Sequence, residues 1–372
     1  MPSPTPLDPL EELARAAEAH ARQEHGLTLG LDAVERVDQI LCSEAGRKDA
    51  ARLESLAACY GAWLGRLIVL RWKARWVGLS EPAAPRLRVG GVVLSPIDAV
   101  RRRLMDPAAP DLATVLRQIE SWALEGETAR ADALAANRAA WDELADDPRF
   151  AGASGLPRDP AAARAALDEW VRAEGVEGKD LLCLGAGGGR QGPLHALAGA
   201  RVTVVDLSDR QLDHDRRAAA SLGVKLETVR TSIDRLESLK AASFDLVLQP
   251  VSSCYLPDVG PVHAGVARVI RPGGLYVVQH KQPAGLQSTQ VGGEIRIDRP
   301  CAEGSIVPSE EPGTREFLHT LEALLGGLCR SGFAIEDVVE PPRGDALAPP
   351  GSPGHHAWFL PPYLRIKARR KA

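Results

Sequence analysis

Residues 180–192 read Asp-Leu-Leu-Cys-Leu-Gly-Ala-Gly-Gly-Gly-Arg-Gln-Gly, an apolar run that ends in a cluster of glycines. A second apolar run, Val202 to Val205, ends in a carboxylate, Asp206. Together they describe the first βαβ unit of a nucleotide-binding sheet. Glycines let the backbone approach a ligand where a Cβ would fill the space. An acid at the tip of the second strand is placed to accept hydrogen bonds from two ribose hydroxyls. The chemistry on offer is recognition of an adenosine-containing cofactor. Gly187 to Gly192 also satisfies Gly-x-Gly-x-x-Gly, with Asp206 at a distance suited to the ribose of NAD. The short motif alone therefore leaves a nicotinamide and a sulfonium cofactor both open.

Such a site needs a sheet to hold it. Strands are predicted at 180–184, 201–205, 225–229, 244–248 and 274–279 with helices between them, a mainly parallel sheet covered on both faces. Ser208-Asp-Arg-Gln211 supplies a capping box for the helix after Asp206. Near the end, a helix from Arg315 to Ser331, a strand from Ala334 to Val339, a Pro/Gly loop over 341–354 and a strand from Trp358 to Ala368 are expected. With no helix between them, the last two strands should pair as an antiparallel hairpin at the sheet edge. Gln282 to Glu311 is longer than an ordinary connection, holds a possible hairpin at 293–298, and is expected to cover the site.

Upstream, Leu53, Leu56, Tyr60, Trp63, Leu64 and Leu67 fall at helical spacing. Short strands with glycine turns follow at 75–79 and 86–94, then a helix start at Ser95-Pro96. Trp63, Trp72 and Trp76 read as core residues. The organisation is a helical α+β module over 1–120, a linking helix over 121–150 and a cofactor-binding domain over 151–372. The 372 residues are 45% apolar and 25% charged, which excludes disordered and fibrous classes. A net charge of −4 gives no general reason to expect nucleic acid. The basic run Arg365 to Lys371 lacks a stacking platform and reads as a solvated strand end. Ala62 to Trp72 contains two arginines and is too short to span a membrane, and the N-terminus lacks a signal-peptide pattern, so a cytoplasmic location is expected. Six cysteines occur without Cys-x-x-Cys or Cys/His pairing, and no metal is expected.

Read with this topology, the chain from about residue 130 onward resembles the class I S-adenosylmethionine-dependent methyltransferases, and within them a bacterial subgroup with glutamine after the glycine loop. The segments that carry the resemblance are Asn137 to Trp141, Leu181 to Gln191, Gly199 to Ser208, Gln211 to Asp215, Phe244 to Ser252, Arg268 to Gly274 and Ala323 to Phe333. The Arg-Pro-Gly-Gly turn at 271–274 and a reversed last strand favour the sulfonium cofactor, since a dehydrogenase sheet stays parallel. The resemblance implies a Rossmann-like seven-stranded α/β sheet with an antiparallel last strand. It implies that Gly185, Ala186, Gly187 and Gly189 pass under the methionine and ribose portions of the cofactor, with Gln191 near its carboxylate end. Asp206 would hold the ribose, Leu207 would contact the adenine, Ser232 and Ile233 would flank that ring, and Gln211 would also bind the cofactor. Gln249, Pro250, Val251 and Ser252 would border the transferred methyl. One departure stands out: the acid usual two residues before the first glycine is Cys183 here.

Methyl transfer to a phenol or amine can require a base. His280 and Lys281 past the fifth strand, His319 and Tyr255 are the candidates, His319 being similar in place to a histidine of small-molecule methyltransferases. The expected function is methyl transfer to a small-molecule acceptor, without nucleic acid or membrane partners. A non-catalytic cofactor-binding protein and an NAD-dependent reductase are the alternatives.

Overall fold

The computed structural model describes residues 8–372 except 46, 48, 78–84, 91, 151, 153, 154 and 292. The expectations for the N-terminal seven residues and for glycine turns at Gly78 and Gly91 lie outside the described residues. The chain forms two compact units, Met1–Ala129 and Arg130–Ala372.

Unit 1 contains α1 (Asp8–His25), α2 (Val34–Glu44), α3 (Ala50–Trp72), β1 (Arg75–Val77), β2 (Arg86–Val89), β3 (Val92–Leu94) and α4 (Pro96–Met105). It ends within α5 (Leu112–Leu144), which runs through the division at 129/130 without a break. Caps set the boundaries: Asp49 accepts the Arg52 N–H at 3.0 Å, and Ser95 accepts the Asp98 N–H at 3.2 Å ahead of a first-turn proline. Among the described residues α3 alone is long and apolar enough to cross a membrane by length and composition. Its Tyr60, Trp63, Leu64 and Ile68 are instead buried in the core of unit 1. Trp72 and Trp76 pack partly buried against that core. A Cβ on Gly61 would lie 2.4 Å from the Ile97 Cα, so α3 and α4 touch backbone to backbone there.

Unit 2 opens with the rest of α5, followed by α6 (Pro160–Ala165) and α7 (Glu169–Glu174). Strands and helices then alternate through β4 (Asp180–Leu184), α8 (Gln191–Leu197), β5 (Arg201–Asp206), α9 (Asp209–Leu222), β6 (Glu227–Arg230), β7 (Phe244–Gln249), α10 (Gly260–Val269) and β8 (Ile270–Lys281). An insertion follows, with α11 (Pro283–Leu286), β9 (Ser288–Val291), β10 (Glu294–Ile297), β11 (Ile306–Val307) and β12 (Glu316–Phe317). The chain finishes with α12 (Gly327–Arg330), β13 (Phe333–Val339), α13 (Pro353–Phe359) and β14 (Tyr363–Arg370). The sheet order is β6-β5-β4-β7-β8-β14-β13, parallel from β6 to β8, with β14 antiparallel to both of its neighbours. Alternation with period two divides the strand residues between two cores. Leu181, Cys183, Val202 and Val204 face one helical layer, while Leu182, Leu184, Val205 and Val247 face the other. The expected Rossmann-like α/β sheet with a reversed last strand is therefore present.

Two expectations near the end need correction. β13 and β14 pair as the expected antiparallel hairpin at the edge of the sheet, but the short helix α13 precedes β14 where loop and strand were expected. The helix expected from Arg315 begins only at Glu322, its first turn being of π type over 322–326. Residues 315–317 are extended because the Asn137 side chain brackets Arg315: Oδ1 accepts the Arg315 N–H at 2.6 Å and Nδ2 donates to the Arg315 carbonyl at 3.1 Å. Glu316, Phe317, Leu318 and His319 are all buried, which one face of a surface helix cannot achieve.

The buried carboxylate of Asp38 in unit 1 receives the Arg103 guanidinium at 2.8 Å and the Leu112 N–H at 3.0 Å. Replacing Asp38 with alanine strands both donors, so denaturant unfolding should show a loss of about 2–4 kcal/mol. Asp38→Asn, which keeps an acceptor, should lose clearly less.

Candidate functional site

A cavity of about 320 Å³ opens in unit 2 at the carboxyl ends of the parallel strands, where sheets of this type hold their ligands. Its floor is the turn between β4 and α8, with Gly185, Ala186, Gly187, Gly188, Arg190 and Gln191 on the wall. Asp206 and Leu207 enter from the end of β5 and Gln211 from α9. Ser232 and Ile233 come from the loop after β6, and Pro250, Val251 and Ser252 from the loop after β7. Tyr255 and Leu256 continue that rim. The remaining wall comes from the end of α5 and the turn beyond it, with Leu134, Asn137, Trp141, Arg149 and Phe150.

At two of its glycines the floor leaves no space for a side chain. Gly185 has φ +56°, and a Cβ there would lie 2.6 Å from the Ser252 Cβ. A Cβ on Gly187 would lie 2.6 Å from the Gln211 Cβ and 3.0 Å from the Asp206 carboxylate. Asp206 fastens the turn: Oδ2 accepts the Gly187 N–H at 3.0 Å and Oδ1 accepts the Ser208 N–H at 3.0 Å. Burial pushes the Asp206 carboxyl above the ordinary range, opposed by these backbone donors. The side of the cavity towards α5 is aromatic. Trp141 packs edge-on against Phe150, with centroids 5.0 Å apart, and against Tyr255 at 5.4 Å. The Arg149 guanidinium lies 4.8 Å from the Phe150 ring and pairs with Asp147 at 2.8 Å and Glu311 at 3.3 Å.

Of the residues singled out in the sequence, Gly185, Ala186, Gly187, Gln191, Asp206, Leu207, Gln211, Ser232, Ile233, Pro250, Val251 and Tyr255 converge on this cavity. Gly189 and Gln249 do not line it. Gly189 shapes the turn from outside, with φ +78°, and its Cβ would lie 2.8 Å from the His214 carbonyl. Gln249 is buried and braces the β7 loop, donating to Ser252 Oγ at 3.1 Å and accepting from the Tyr276 hydroxyl. Trp141 and Asn137 belong to a segment matched on sequence, although no role was assigned to them there. Arg149 and Phe150 follow the Asp147-Pro148 helix stop in a stretch with no periodicity, and only the packing of Phe150 on Trp141 and of Arg149 on Phe150 reveals them.

The two histidines proposed as bases lie away from the cavity wall. His319 is buried, with Nδ1 2.6 Å from Glu303 Oε1 and Nε2 3.0 Å from the Ser253 carbonyl, so both ring nitrogens are engaged. His280 is buried with Nδ1 2.6 Å from Ser253 Oγ. Lys281 pairs with the fully buried Glu316 at 2.7 Å. These contacts clasp the insertion onto the ends of β7 and β8. Tyr255 does line the cavity, but burial, followed by neighbouring Cys254 and Glu316, pushes its hydroxyl far above the ordinary phenol range and keeps it protonated.

Burial, then the nearby His319, pushes His280 from 6.5 down to about 3. The folded state keeps this ring neutral, whereas the unfolded chain takes up a proton below 6.5, so stability falls as pH drops from 6.5 towards 3. The slope is about 1.4 kcal/mol per pH unit within that window. Urea titrations at about pH 7 and about pH 5 should show the wild type losing at least about 1 kcal/mol more than His280→Gln over the interval.

Residues 182–278 match the family described as a methyltransferase domain. The chain is 33% identical over 184 residues to the uncharacterized methyltransferase YbaJ of Bacillus subtilis, covering 46% of this chain and 72% of that protein. It is 27% identical over 176 residues to the ubiquinone biosynthesis O-methyltransferase of Azotobacter vinelandii, covering 46% and 71%. Among solved structures, an S-adenosylmethionine-dependent methyltransferase from Mesorhizobium loti is 29% identical and covers 56% of this chain and 96% of its own, with a TM-score of 0.44. The NAD-dependent and non-catalytic alternatives are thereby set aside. A parallel sheet with one reversed strand, a glycine floor fastened to Asp206 and this kinship identify the chain as a member of the class I S-adenosylmethionine-dependent methyltransferases.

Proposed function

We propose that the cavity in unit 2 holds S-adenosylmethionine and one small-molecule acceptor, and that the enzyme works by alignment and exclusion of water rather than by proton transfer. In this reading Gly185, Ala186 and Gly187 lie under the methionine and ribose portions, and Gln191 near the carboxylate end. Asp206 takes the ribose hydroxyls, with Gln211 alongside. Leu207, Ser232 and Ile233 enclose the adenine, and Pro250 to Ser252 border the methyl. The observation that carries the reading is the floor itself. At Gly185 and Gly187 a Cβ has no space, and beside them stands a half-buried carboxylate.

When bound, the cofactor supplies a methyl group on a sulfonium whose leaving group is a neutral thioether, so the protein needs no acid for departure. What remains for the protein is to hold the nucleophile in line and keep water out. Trp141, Phe150 and Tyr255 offer flat apolar walls for an aromatic or otherwise apolar acceptor. Among the described residues no histidine or lysine lines the cavity, and the Tyr255 hydroxyl stays protonated. The acceptor therefore arrives with its nucleophile ready, as a phenolate of low pKa, a thiolate, a carboxylate or an unprotonated amine. The relative named for ubiquinone biosynthesis methylates oxygen, and an oxygen on an aromatic acceptor is the first class to test.

Mass spectrometry with methyl-labelled cofactor and a panel of acidic phenols should detect labelled product. Transfer only to acceptors of high pKa would overturn the base-free mechanism. Asp206→Ala should weaken S-adenosylhomocysteine binding in calorimetry by at least about tenfold, since charge-assisted hydrogen bonds contribute roughly 1.5–3 kcal/mol. Unchanged affinity would remove the ribose assignment.

A further inference from the structure

The glycine floor rests on a second carboxylate. Asp215, on α9, is fully buried, and neither of its oxygens has a hydrogen-bond partner of ordinary geometry. A buried carboxylate in this condition calls for an explanation beyond packing, because it is costly to leave unsatisfied. The backbone N–H of Gly189 faces it from the turn, and that of Gly188, which donates to the Gln211 carbonyl at 3.1 Å, lies close by. A Cβ on Gly192 would lie 3.0 Å from its Oδ1, so the start of α8 also closes against it. Cys183 at the end of β4 faces the same spot: burial and the proximity of Asp215 both push its thiol upward, so it stays uncharged. Asp206 on β5 faces Asp215 as a like charge, and Arg216 on its own helix is the cation that acts on it.

Cys183 occupies the strand position where an acid is usual in the family, and the acid missing from the strand has a counterpart on the helix. We propose that Asp215 is the positioning residue of the glycine turn, acting as the acid that β4 lacks: ionised, it draws the Gly189 and Gly188 N–H groups onto its carboxylate and seats the turn for the cofactor. Protonated, it releases them. Burial, opposed by the two glycine N–H groups and reinforced by Asp206, pushes its carboxyl up to about 7, so both forms are populated near neutrality. If binding favours the ionised form, affinity rises with pH through this region and levels off above it. A role in packing alone would give no such profile.

The experiment is calorimetric titration of the full chain with S-adenosylhomocysteine from about pH 5.5 to about pH 8.5, for wild type, Asp215→Asn and the double variant Cys183→Asp/Asp215→Asn. Wild-type affinity should rise by about five- to tenfold across the range, the scale of one pKa unit. Asp215→Asn should bind weakly and without that rise, and restoring an acid at position 183 should recover affinity. A rise that persists in Asp215→Asn, or Asp215→Asn binding as tightly as wild type, would overturn the proposal. Should Asp215→Asn fail to fold, carbon-13 NMR of wild-type aspartate carboxyls decides instead: a midpoint near 7 should move down on adding S-adenosylhomocysteine, and an unmoved midpoint refutes the role. Absence of wild-type binding at every pH would overturn the assignment of the cavity and this inference together. Wild-type binding with an unaltered Asp215→Asn would overturn this inference alone.

Discussion

The Asp206 carboxylate, bonded at once to the Gly187 and Ser208 N–H groups, ties the turn after β4 to the start of α9 across the tips of two adjacent strands. Everything the cavity does depends on that tie. It holds the turn low enough to form a floor, in which Gly185 and Gly187 pass Ser252 and Gln211 where a Cβ would not fit. The arrangement is demanding because the half-buried carboxylate gives up water, a loss that its backbone donors offset only in part. A floor built this way is stiff, and stiffness is what in-line displacement needs from it.

Opposite this end, the reversed strand β14 supplies cohesion. Arg365 pairs with Asp168 and stacks 4.0 Å from the Trp170 ring, while Arg369 reaches Glu174 at 3.1 Å and Glu336 at 2.7 Å. The basic tail that resembles a nucleic-acid contact in the sequence is therefore spent on α7 and β13. Arginine suits this position because its fork meets two carboxylates and its plane covers an indole at the same time.

The parallel sheet was legible because each strand is a bounded apolar run, and the site because the turn after β4 needs glycine at Gly185 and Gly187. Elsewhere the local signal was outvoted. Ser352-Pro353 carries the same cap-and-proline signature as Ser95-Pro96, and Ser352 does accept the His355 N–H at 3.2 Å, yet the surrounding Pro/Gly loop concealed α13. Residues 316–319 were read as helical although all four are buried, a state imposed by partners far away in sequence: Lys281, Asn137 and Glu303. The same distance explains the histidines. Their residue type suggests chemistry, but whether a ring nitrogen is available depends on a carbonyl and a carboxylate that no spacing rule locates.

Asn137 acts on more than Arg315. Its Nδ2 also donates to the Tyr255 carbonyl at 2.9 Å, so one amide joins the end of α5, the turn after β7 and the insertion just ahead of β12. The aromatic wall is thus braced from behind by this amide, while Ser208 and His214 hold the far end of α5 to α9. An acceptor too large for the cavity cannot be admitted by the turning of one ring; α5, the Tyr255 turn and the insertion must yield as a group. The size limit on substrates is then set by the backbone, and substitutions at Trp141 or Phe150 will reshape the chamber far more readily than they widen its entrance.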